Sequence, residues 1–309
     1  MEVLLIGVGP VGIEYANILK ALGHTVRAHG RSEAGCASFL AATGVAACAG
    51  GDAALACLPS LPDTAIVAVS EAQLGVVVDQ LVERGVQRIL VEKPGGASFS
   101  EIASLADKAT RRGCDIRVGY NRRFHASTLK AQEIIAADGG VRTFHFEFTE
   151  WSHRIEPLQK EPGVKEEWFL HNSSHVVDLA FHLGGWPTTL HALTAGELSW
   201  HRHARHVGSG ATESGALFSY FADWQGPGRW SVEIITSAHR LIFRPLEKLL
   251  IQAIGSVAQE PVQIDDSLDL AYKPGFYRQT EAFFAAPETL LSIQQQAAHL
   301  ATYQSINPA

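Results

Sequence analysis

The segment that most constrains the fold is EVLLIGVGPVGIEYANILKALG at residues 2–23. Its apolar run predicts a buried strand, its glycines a tight turn, and the amphipathic stretch that follows a helix. Gly7 permits the turn, Gly9 lets a pyrophosphate approach the backbone, and Gly12 lets the helix pack on the strand. The unit therefore predicts a dinucleotide site, against the alternative of an unliganded turn. The residues predicted to contact the dinucleotide here are Gly7, Gly9, Pro10, Val11 and Gly12.

Two patterns of apolar residues divide the chain. Short apolar runs alternate with helical stretches over the first 120 residues, which implies right-handed crossovers and a doubly wound parallel sheet. After Phe124 the segment VRTFHFEFTEW alternates apolar and polar residues, as a half-covered antiparallel strand does. We therefore expect an α/β protein with a Rossmann domain at 1–120 and an α+β domain at 121–309 for substrate binding and oligomerisation.

The expected sheet of the second domain is large, open and mostly antiparallel. Its strand candidates lie near 188–195, 212–223, 229–237, 239–244 and 248–254. A final helix at 287–306 is expected to pack back on the body, and HRHARH at 201–206 is expected to be an exposed loop.

Composition excludes several classes of protein. A content of 46% hydrophobic and 18% charged residues is that of a soluble globular protein, and the net charge of -7 argues against nucleic acid as a partner. No window is long and apolar enough for a membrane span or a signal peptide, so we expect a cytoplasmic protein that does not bind membranes. Cys36, Cys48, Cys57 and Cys114 show no metal-ligand spacing, so we expect reduced thiols and no metal.

The end of the second strand candidate bears on the choice of cofactor. Rossmann domains usually place Asp or Glu there for the ribose hydroxyls, whereas this chain has His29-Gly30-Arg31-Ser32. An arginine and a serine suit a 2′-phosphate, so NADP is favoured over NAD, although Arg31 is alternatively a solvated loop residue. Ser70, after the strand candidate at 65–69, is interpreted either as a cofactor ligand or as a helix cap.

Glu92-Lys93-Pro94 places a charge where an apolar strand candidate ends, in RILVEKPGG. The ends of parallel strands face the ligand crevice, and the proline restricts Lys93 to an extended conformation that points its side chain there. We expect Glu92 and Lys93 to contact the cofactor and Lys93 to act in the reaction, because a structural lysine belongs on an exposed helix face.

The segment HNSSHVVDLAFHLGG carries polar residues at helical spacing. His171, His175, Asp178 and His182 lie four, three and four residues apart, so a helix would place them in one stripe. Three interpretations are open: a metal-ligand pair, for which no third ligand is evident; acid–base chemistry by one imidazole; and a buried histidine satisfied by Asp178. The acid–base interpretation is favoured.

The glycine turn, Glu92-Lys93-Pro94, VGYNRRF at 118–124 and His175-x-x-Asp178 together resemble the Gfo/Idh/MocA family, named for glucose-fructose oxidoreductase and inositol dehydrogenase. The resemblance implies a Rossmann domain followed by an open-sheet domain through which members associate, here as a homodimer or homotetramer. It also implies that Lys93 positions the substrate and polarises the reacting oxygen, and that His175 is the general base.

One position departs from the family pattern. Inositol dehydrogenase-like members have an aspartate where this chain has His171, and an aspartate stabilises a protonated imidazole whereas a second imidazole opposes it. We therefore expect His171 or Asn172 to bind a substrate hydroxyl or carboxylate. The residues expected to bind substrate are Tyr120, Asn121, Arg123, Asn172 and Asp178.

The expected function is NAD(P)-dependent interconversion of a secondary alcohol and a ketone on a sugar, sugar acid, nucleotide sugar or cyclitol. An anionic substrate is favoured by four basic residues, Arg122, Arg123, Arg154 and Lys165. The sequences VGYNRRF and NSSHVVDLAFHLGG resemble those of family members linked to bacterial surface-carbohydrate biosynthesis. The alternatives are a dinucleotide-binding regulatory protein without turnover and an NAD-dependent glycosidase of the same fold.

Overall fold

The computed structural model describes residues 1–56 and 59–308, so Cys57 lies outside the described residues. The chain divides into two compact units. The first unit comprises Met1–Tyr120 and Ala271–Ala298, and the second comprises Asn121–Leu270 together with the residues from His299 onward.

The first unit is built on a seven-stranded sheet. Numbered in chain order, its strands are β1 (Glu2–Ile6), β2 (Thr25–His29), β3 (Ala47–Cys48), β4 (Thr64–Val67), β5 (Arg88–Glu92), β6 (Asp115–Gly119) and β15 (Leu291–Ser292). Its helices are α1 (Pro10–Ala21), α2 (Glu33–Thr43), α3 (Gly51–Ala56), α4 (Leu74–Glu83), α5 (Phe99–Arg112) and α10 (Phe276–Ala285).

The strand order of this sheet is β15-β6-β5-β4-β1-β2-β3, and every pair except β15 with β6 is parallel. The central strands β1 and β4 are almost wholly buried, as strands covered on both faces must be. The expected doubly wound Rossmann fold is therefore confirmed.

The second unit is built on an eight-stranded sheet. Its strands are β7 (Thr143–Glu147), β8 (Pro187–Ala195), β9 (Arg205–Thr212), β10 (Leu217–Asp223), β11 (Ser231–Ile235), β12 (His239–Phe243), β13 (Leu250–Ala253) and β14 (Glu260–Pro261). Its helices are α6 (Ala126–Ala137), α7 (Ser152–Ile155), α8 (Ser174–Gly184) and α9 (Ser267–Ala271). The last helix, α11 (Ile293–Ile306), contributes residues to both units.

This sheet has the order β14-β13-β12-β11-β7-β10-β9-β8 and is antiparallel except where β7 pairs with β10. The alternation in β7 buries Phe144 and Phe146, and Phe148 just beyond the strand is buried on the same side. The rings of Phe144 and Phe146 meet Phe181 of α8 at 6.0 and 5.4 Å, so the aromatic face of β7 packs on that helix. A large, mostly antiparallel sheet is confirmed.

The expected strand at 212–223 begins too early: Thr212 ends β9, a turn follows, and Leu217–Asp223 forms β10. Gly215, with φ of 83°, lies in the turn that Thr212 N–H closes on the Ala216 carbonyl at 2.9 Å. The expected exposed loop at 201–206 is only partly right: residues 201–204 lie outside helices and strands, but His201 and His206 are buried, and burial lowers the pKa of each to about 4. The histidine-rich segment gave no sign of the strand that begins at Arg205.

The last helix begins later than the expected residue 287. Pro287–Thr289 is a 3-10 turn, and Leu291–Ser292 pairs with β6 as an edge strand. Ser292 and Gln295 then exchange hydrogen bonds, Gln295 N–H to Ser292 Oγ at 3.1 Å and Ser292 N–H to Gln295 Oε1 at 2.9 Å. This reciprocal capping box starts the helix at Ile293.

Candidate active site

The glycine turn between β1 and α1 excludes side chains at two positions. Gly7 has φ of 113°, and a Cβ there would lie 2.1 Å from the Ala68 carbonyl oxygen. A Cβ on Gly12 would lie 2.0 Å from the Gly7 carbonyl oxygen. At Gly9, the N-cap of α1, no atom of the described residues lies within 4 Å of that position, so a ligand can approach the backbone there.

A cavity of about 480 Å³ opens beside this turn within the first unit. It brings together five of the predicted cofactor ligands: Gly7, Gly9, Arg31, Ser32 and Ser70. The other predicted ligands, which do not line this cavity, are Pro10, Val11, Gly12, Glu92 and Lys93. Because the ends of β1, β2 and β4 all meet at the cavity, it occupies the crevice that the sheet topology predicts.

The serines of this cavity differ in what they do for the backbone. Ser32 Oγ accepts a hydrogen bond from Gly35 N–H at 3.2 Å and so caps α2. Ser70 precedes the 3-10 turn Glu71–Gln73 but its side chain makes no capping hydrogen bond to it. Arg31 is exposed at the cavity rim.

The turn that carries Lys93 follows β5 directly. Gly95 N–H donates to the Glu92 carbonyl at 3.1 Å across the cis Lys93–Pro94 peptide. The Glu92 carboxylate accepts from the Tyr15 hydroxyl at 2.6 Å, and burial raises the pKa of Glu92 although that hydroxyl opposes the shift. Glu92 is therefore a half-buried carboxylate anchored to α1.

Two glutamines from the returning part of the chain extend this anchor. Gln279 of α10 donates to the Tyr15 hydroxyl at 2.9 Å. Gln296 of α11 donates to the Pro94 carbonyl and to the Tyr120 hydroxyl, both at 3.0 Å. Tyr120, expected to bind substrate, is buried and shares its hydroxyl with this network. We call Tyr15, Glu92, Gln279 and Gln296 the lysine-turn network.

The polar helix of the second unit is not one continuous α-helix. Phe169–Ser173 forms a π-helical turn, and α8 begins at Ser174. His171 therefore lies in the π turn and His175 in the first turn of α8, so the expected single α-helical stripe is interrupted between them. Both imidazoles are buried. Such π turns recur at functional sites.

Asp178 and Arg123 bind each other. Arg123 Nε donates to Asp178 Oδ2 at 2.8 Å, and Arg123 Nη2 donates to Oδ1 at 2.6 Å. Both side chains are buried, so this bidentate pair fixes α8 to the 3-10 turn Asn121–Phe124. Asn121, in the same turn, is buried.

Asn172 is held by a carboxylate that the sequence did not single out. Glu150 Oε1 accepts from Asn172 Nδ2 and from Ser173 Oγ, both at 2.8 Å. Glu150 Oε2 accepts from Arg229 Nη1 at 3.0 Å. Burial raises the pKa of Glu150, and these three donors offset that shift by stabilising the ionised form.

His182, the last member of the predicted stripe, is bound within the fold. Its Nε2 lies 3.0 Å from Gln132 Nε2, and burial, aided by the charge of Arg123, lowers its pKa to about 3. A neutral imidazole in that setting is a packing residue. Within the described residues, no group of three or more histidine, cysteine or acidic side chains is placed to hold a metal ion.

Comparison with known proteins identifies the first unit. Residues 1–120 match the Gfo/Idh/MocA family model, described as an oxidoreductase family with an NAD-binding Rossmann fold. A search of curated protein sequences found no significant match. Along the part of the chain that is described, no helix has the length and apolar character needed to cross a membrane.

Solved structures share the fold over nearly the whole chain. UDP-N-acetylglucosamine 3-dehydrogenase from Acidithiobacillus ferrooxidans is 18% identical with a TM-score of 0.74, covering 99% of this chain and 96% of its own. Levoglucosan dehydrogenase, solved with NADH and L-sorbose, is 16% identical with a TM-score of 0.78 and covers 99% and 95%. An Agrobacterium radiobacter oxidoreductase, solved with NAD⁺, L-tartaric acid and magnesium, is 15% identical with a TM-score of 0.72 and covers 100% and 95%.

The glycine turn, its cavity and the family match define an NAD(P)-dependent oxidoreductase. Over residues 1–120 the chain is similar to the Gfo/Idh/MocA oxidoreductase family.

Proposed function

We propose that this protein interconverts a secondary alcohol and a ketone on a carbohydrate substrate, with NAD(P) bound in the first unit. One observation carries the proposal. Lys93 follows β5, which lies beside β4 in the sheet, and the ends of β1, β2 and β4 line the cavity. A lysine at this edge of a dinucleotide-binding sheet suits a role beside the reacting carbon.

The backbone that lines the cavity suits the phosphates of the cofactor. Gly9 leaves open space at the N-terminus of α1, where backbone amides stabilise phosphate, and Gly7 permits the turn that presents them. When bound, the nicotinamide supplies the hydride acceptor that no side chain provides. NADP is the proposed preference, because Arg31 and Ser32 lie at the rim where a 2′-phosphate would be read.

In the proposed reaction, His175 accepts the proton of the substrate hydroxyl while the Lys93 ammonium stabilises the developing oxyanion. His171, Asn121 and Asn172 are proposed to bind neighbouring hydroxyl groups. Arg123 and Asp178 are proposed to hold the first turn of α8 in place, because each occupies the other with two short hydrogen bonds.

A carbohydrate substrate is supported by the similar structures, which include a UDP-N-acetylglucosamine 3-dehydrogenase and a levoglucosan dehydrogenase. A role in bacterial surface-carbohydrate metabolism is part of the proposal. A screen of sugars, sugar acids, nucleotide sugars and cyclitols with both cofactors identifies the substrate through the absorbance of reduced nicotinamide.

Replacing Lys93 by methionine tests the assignment. We expect Lys93→Met to lower kcat by about 100-fold or more, because the oxyanion loses its cationic partner, and to leave the cofactor Kd nearly unchanged. Lys130→Met, which removes an exposed lysine paired with Glu133, is the control and should behave as wild type. Unchanged turnover in Lys93→Met would contradict the assignment, and aglycone release without net reduction would identify a glycosidase instead.

We also propose that two or four copies associate through the open sheet. Register pairs Leu193 with Val207 and Val207 with Phe221, so these three exposed apolar residues form a row on one face. Leu217 and Ile235, both paired with Thr143, add a second exposed row on that face. An apolar area of this extent on a sheet is typical of a subunit interface.

A further inference from the structure

Two arginines stack on one buried indole in the second unit. The Cζ atoms of Arg122 and Arg229 lie 4.8 and 4.6 Å from the ring centroid of Trp230. Arg229 Cζ also lies 5.0 Å from the ring centroid of Trp151. We call Arg122, Trp151, Arg229 and Trp230 the arginine–tryptophan cluster. Stacking of this kind orients a guanidinium without neutralising it.

Arg229 is anchored on one side and open on the other. Its Nη1 donates to Glu150 at 3.0 Å, yet 47% of its side chain is exposed. Trp151 is itself fixed by a 2.8 Å hydrogen bond from its Nε1 to the Gly228 carbonyl. A guanidinium carries five donors, so a half-exposed one held between two rings can still bind an acceptor in a planar, bidentate way.

The carboxylate in contact with Arg229 is Glu150, whose oxygens also accept from Asn172 and Ser173. Because Glu150 is shared among three donors and binds Arg229 through one nitrogen, the guanidinium keeps the charge and the planar donors that favour an anionic ligand.

Trp230 provides an independent indication of a ligand. It is only 6% exposed, and its Nε1–H has no hydrogen-bond acceptor among the described residues. Buried donors are nearly always satisfied, so an N–H in this position is expected to meet an acceptor supplied from outside the fold. An oxyanion that reaches this N–H would be an acceptor for it and for the half-exposed Arg229 guanidinium.

The cluster adjoins the proposed general base. The ring centroids of His175 and Trp230 are 6.2 Å apart, which is the separation of two aromatic rings in contact. We propose that the cluster binds an oxyanion of the substrate, either the carboxylate of a sugar acid or a phosphate of a nucleotide sugar, with Arg229 and the Trp230 N–H as its main donors. This inference rests on the proposed function for the chemistry at His175.

Equilibrium binding separates the sources of the oxyanion. Titration calorimetry on the protein saturated with oxidised cofactor would use D-glucuronate, UDP-N-acetylglucosamine and neutral D-glucose as probes. We expect one or both anionic probes to bind more tightly than glucose. Tight binding of glucuronate identifies a carboxylate site, and tight binding of only the nucleotide sugar identifies a phosphate site.

Three variants test the residues. We expect Arg229→Gln to weaken the anionic probe by about 10- to 100-fold, the loss of one charge-assisted hydrogen bond, with glucose unaffected. Trp230→Phe keeps an aromatic ring, although a smaller one, and removes the donor, so the same selective loss should be smaller. Arg112→Gln is the matched control, since Arg112 is an exposed arginine paired with Glu83 in the first unit.

The outcomes distinguish this inference from the proposed function. Equal affinity of the wild type for glucose and for both anions, or an unchanged anion affinity in Arg229→Gln, overturns the anion site and leaves the dehydrogenase assignment intact. Selective anion binding, with no cofactor reduction by any member of the substrate screen described above, supports the site and contradicts the dehydrogenase assignment. If Arg229→Gln fails to fold, the wild type decides: its anion affinity must fall with ionic strength while its glucose affinity does not.

Discussion

Arg31 is the residue on which the choice of cofactor depends. It lies exposed at the cavity rim beyond β2, where Rossmann domains that prefer NAD carry an acidic residue. We expect Arg31→Ala to weaken NADPH binding by about 10-fold or more and to change NADH binding little, because a guanidinium–phosphate contact is charge-assisted. Fluorescence titration of both reduced cofactors measures this. The exposed Arg111, changed to alanine, is the control, and an equal NADPH affinity in wild type and Arg31→Ala would exclude the phosphate role.

Residues with a local signature could be predicted, and those without one could not. The close contacts of Gly7 and Gly12 exclude a side chain at both positions. Both glycines belong to one strand-turn-helix unit, so the local sequence pattern predicts them. Gln279 and Gln296 contact Tyr15 and Pro94 from 264 and 202 residues away, and a lone glutamine on a helix has no pattern that announces such a partner. Trp230 was similarly hidden inside an expected strand.

At the level of elements, α1 and α10 secure the turn that carries Lys93. The Tyr15 hydroxyl is the donor that stabilises the ionised Glu92 against burial. Since Glu92 has a folded-state pKa above its ordinary value, its contribution to stability is present at low pH and is lost as the pH rises through the folded-state pKa. Removing the Tyr15 hydroxyl raises the pKa of Glu92 further, so the stability lost between low and neutral pH becomes larger.

We therefore expect Tyr15→Phe to lower the free energy of unfolding by about 1.5–3 kcal/mol at neutral pH, and by less at a pH below the ordinary pKa of a carboxyl group. Urea unfolding at the two pH values measures the difference. Tyr277→Phe on α10 is the control, because Tyr277 packs on Tyr272 outside the lysine-turn network. A destabilisation that is the same at both pH values would show that Glu92 is not the group affected.

The π turn before α8 shows where periodicity misleads. Spacing of four, three and four residues predicts one stripe only if every residue advances by the same helical angle, and a π turn breaks that condition. The sequence therefore placed His175 and Asp178 on one helix correctly, but could not show that His171 and Asn172 belong to a different turn.

At the level of the whole molecule, the exposed apolar face of the open sheet determines the proposed assembly. We expect Val207→Lys to convert the wild-type dimer or tetramer to monomers, because a lysine cannot be buried unpaired in an apolar interface. Multi-angle light scattering measures the mass. Val76→Lys in α4 is a matched control, since Val76 and Val207 are 43% and 48% exposed. A monomeric wild type, or an unchanged mass in Val207→Lys, would contradict the interface.

The fold class was predictable because two periodicities divide the chain. The sequence did not predict that residues 271–298 belong to the first unit. Strands β1 to β6 alternate with helices in a run whose pattern changes after Phe124. The edge strand β15 has only two residues, too few for any period, and it joins the sheet of residues far earlier in the chain.

The discontinuity of the first unit has a consequence for the order of events during translation. Residues 1–120 leave the ribosome first, yet β15, Gln279 and Gln296 are synthesised only after residues 121–270. In a nascent chain the glycine turn can therefore form early, whereas the turn that carries Lys93 lacks Gln279 and Gln296 until the end of synthesis. Expression of residues 1–120 alone would reproduce that incomplete state permanently. Joining residues 271–298 to this fragment through a linker would complete the sheet.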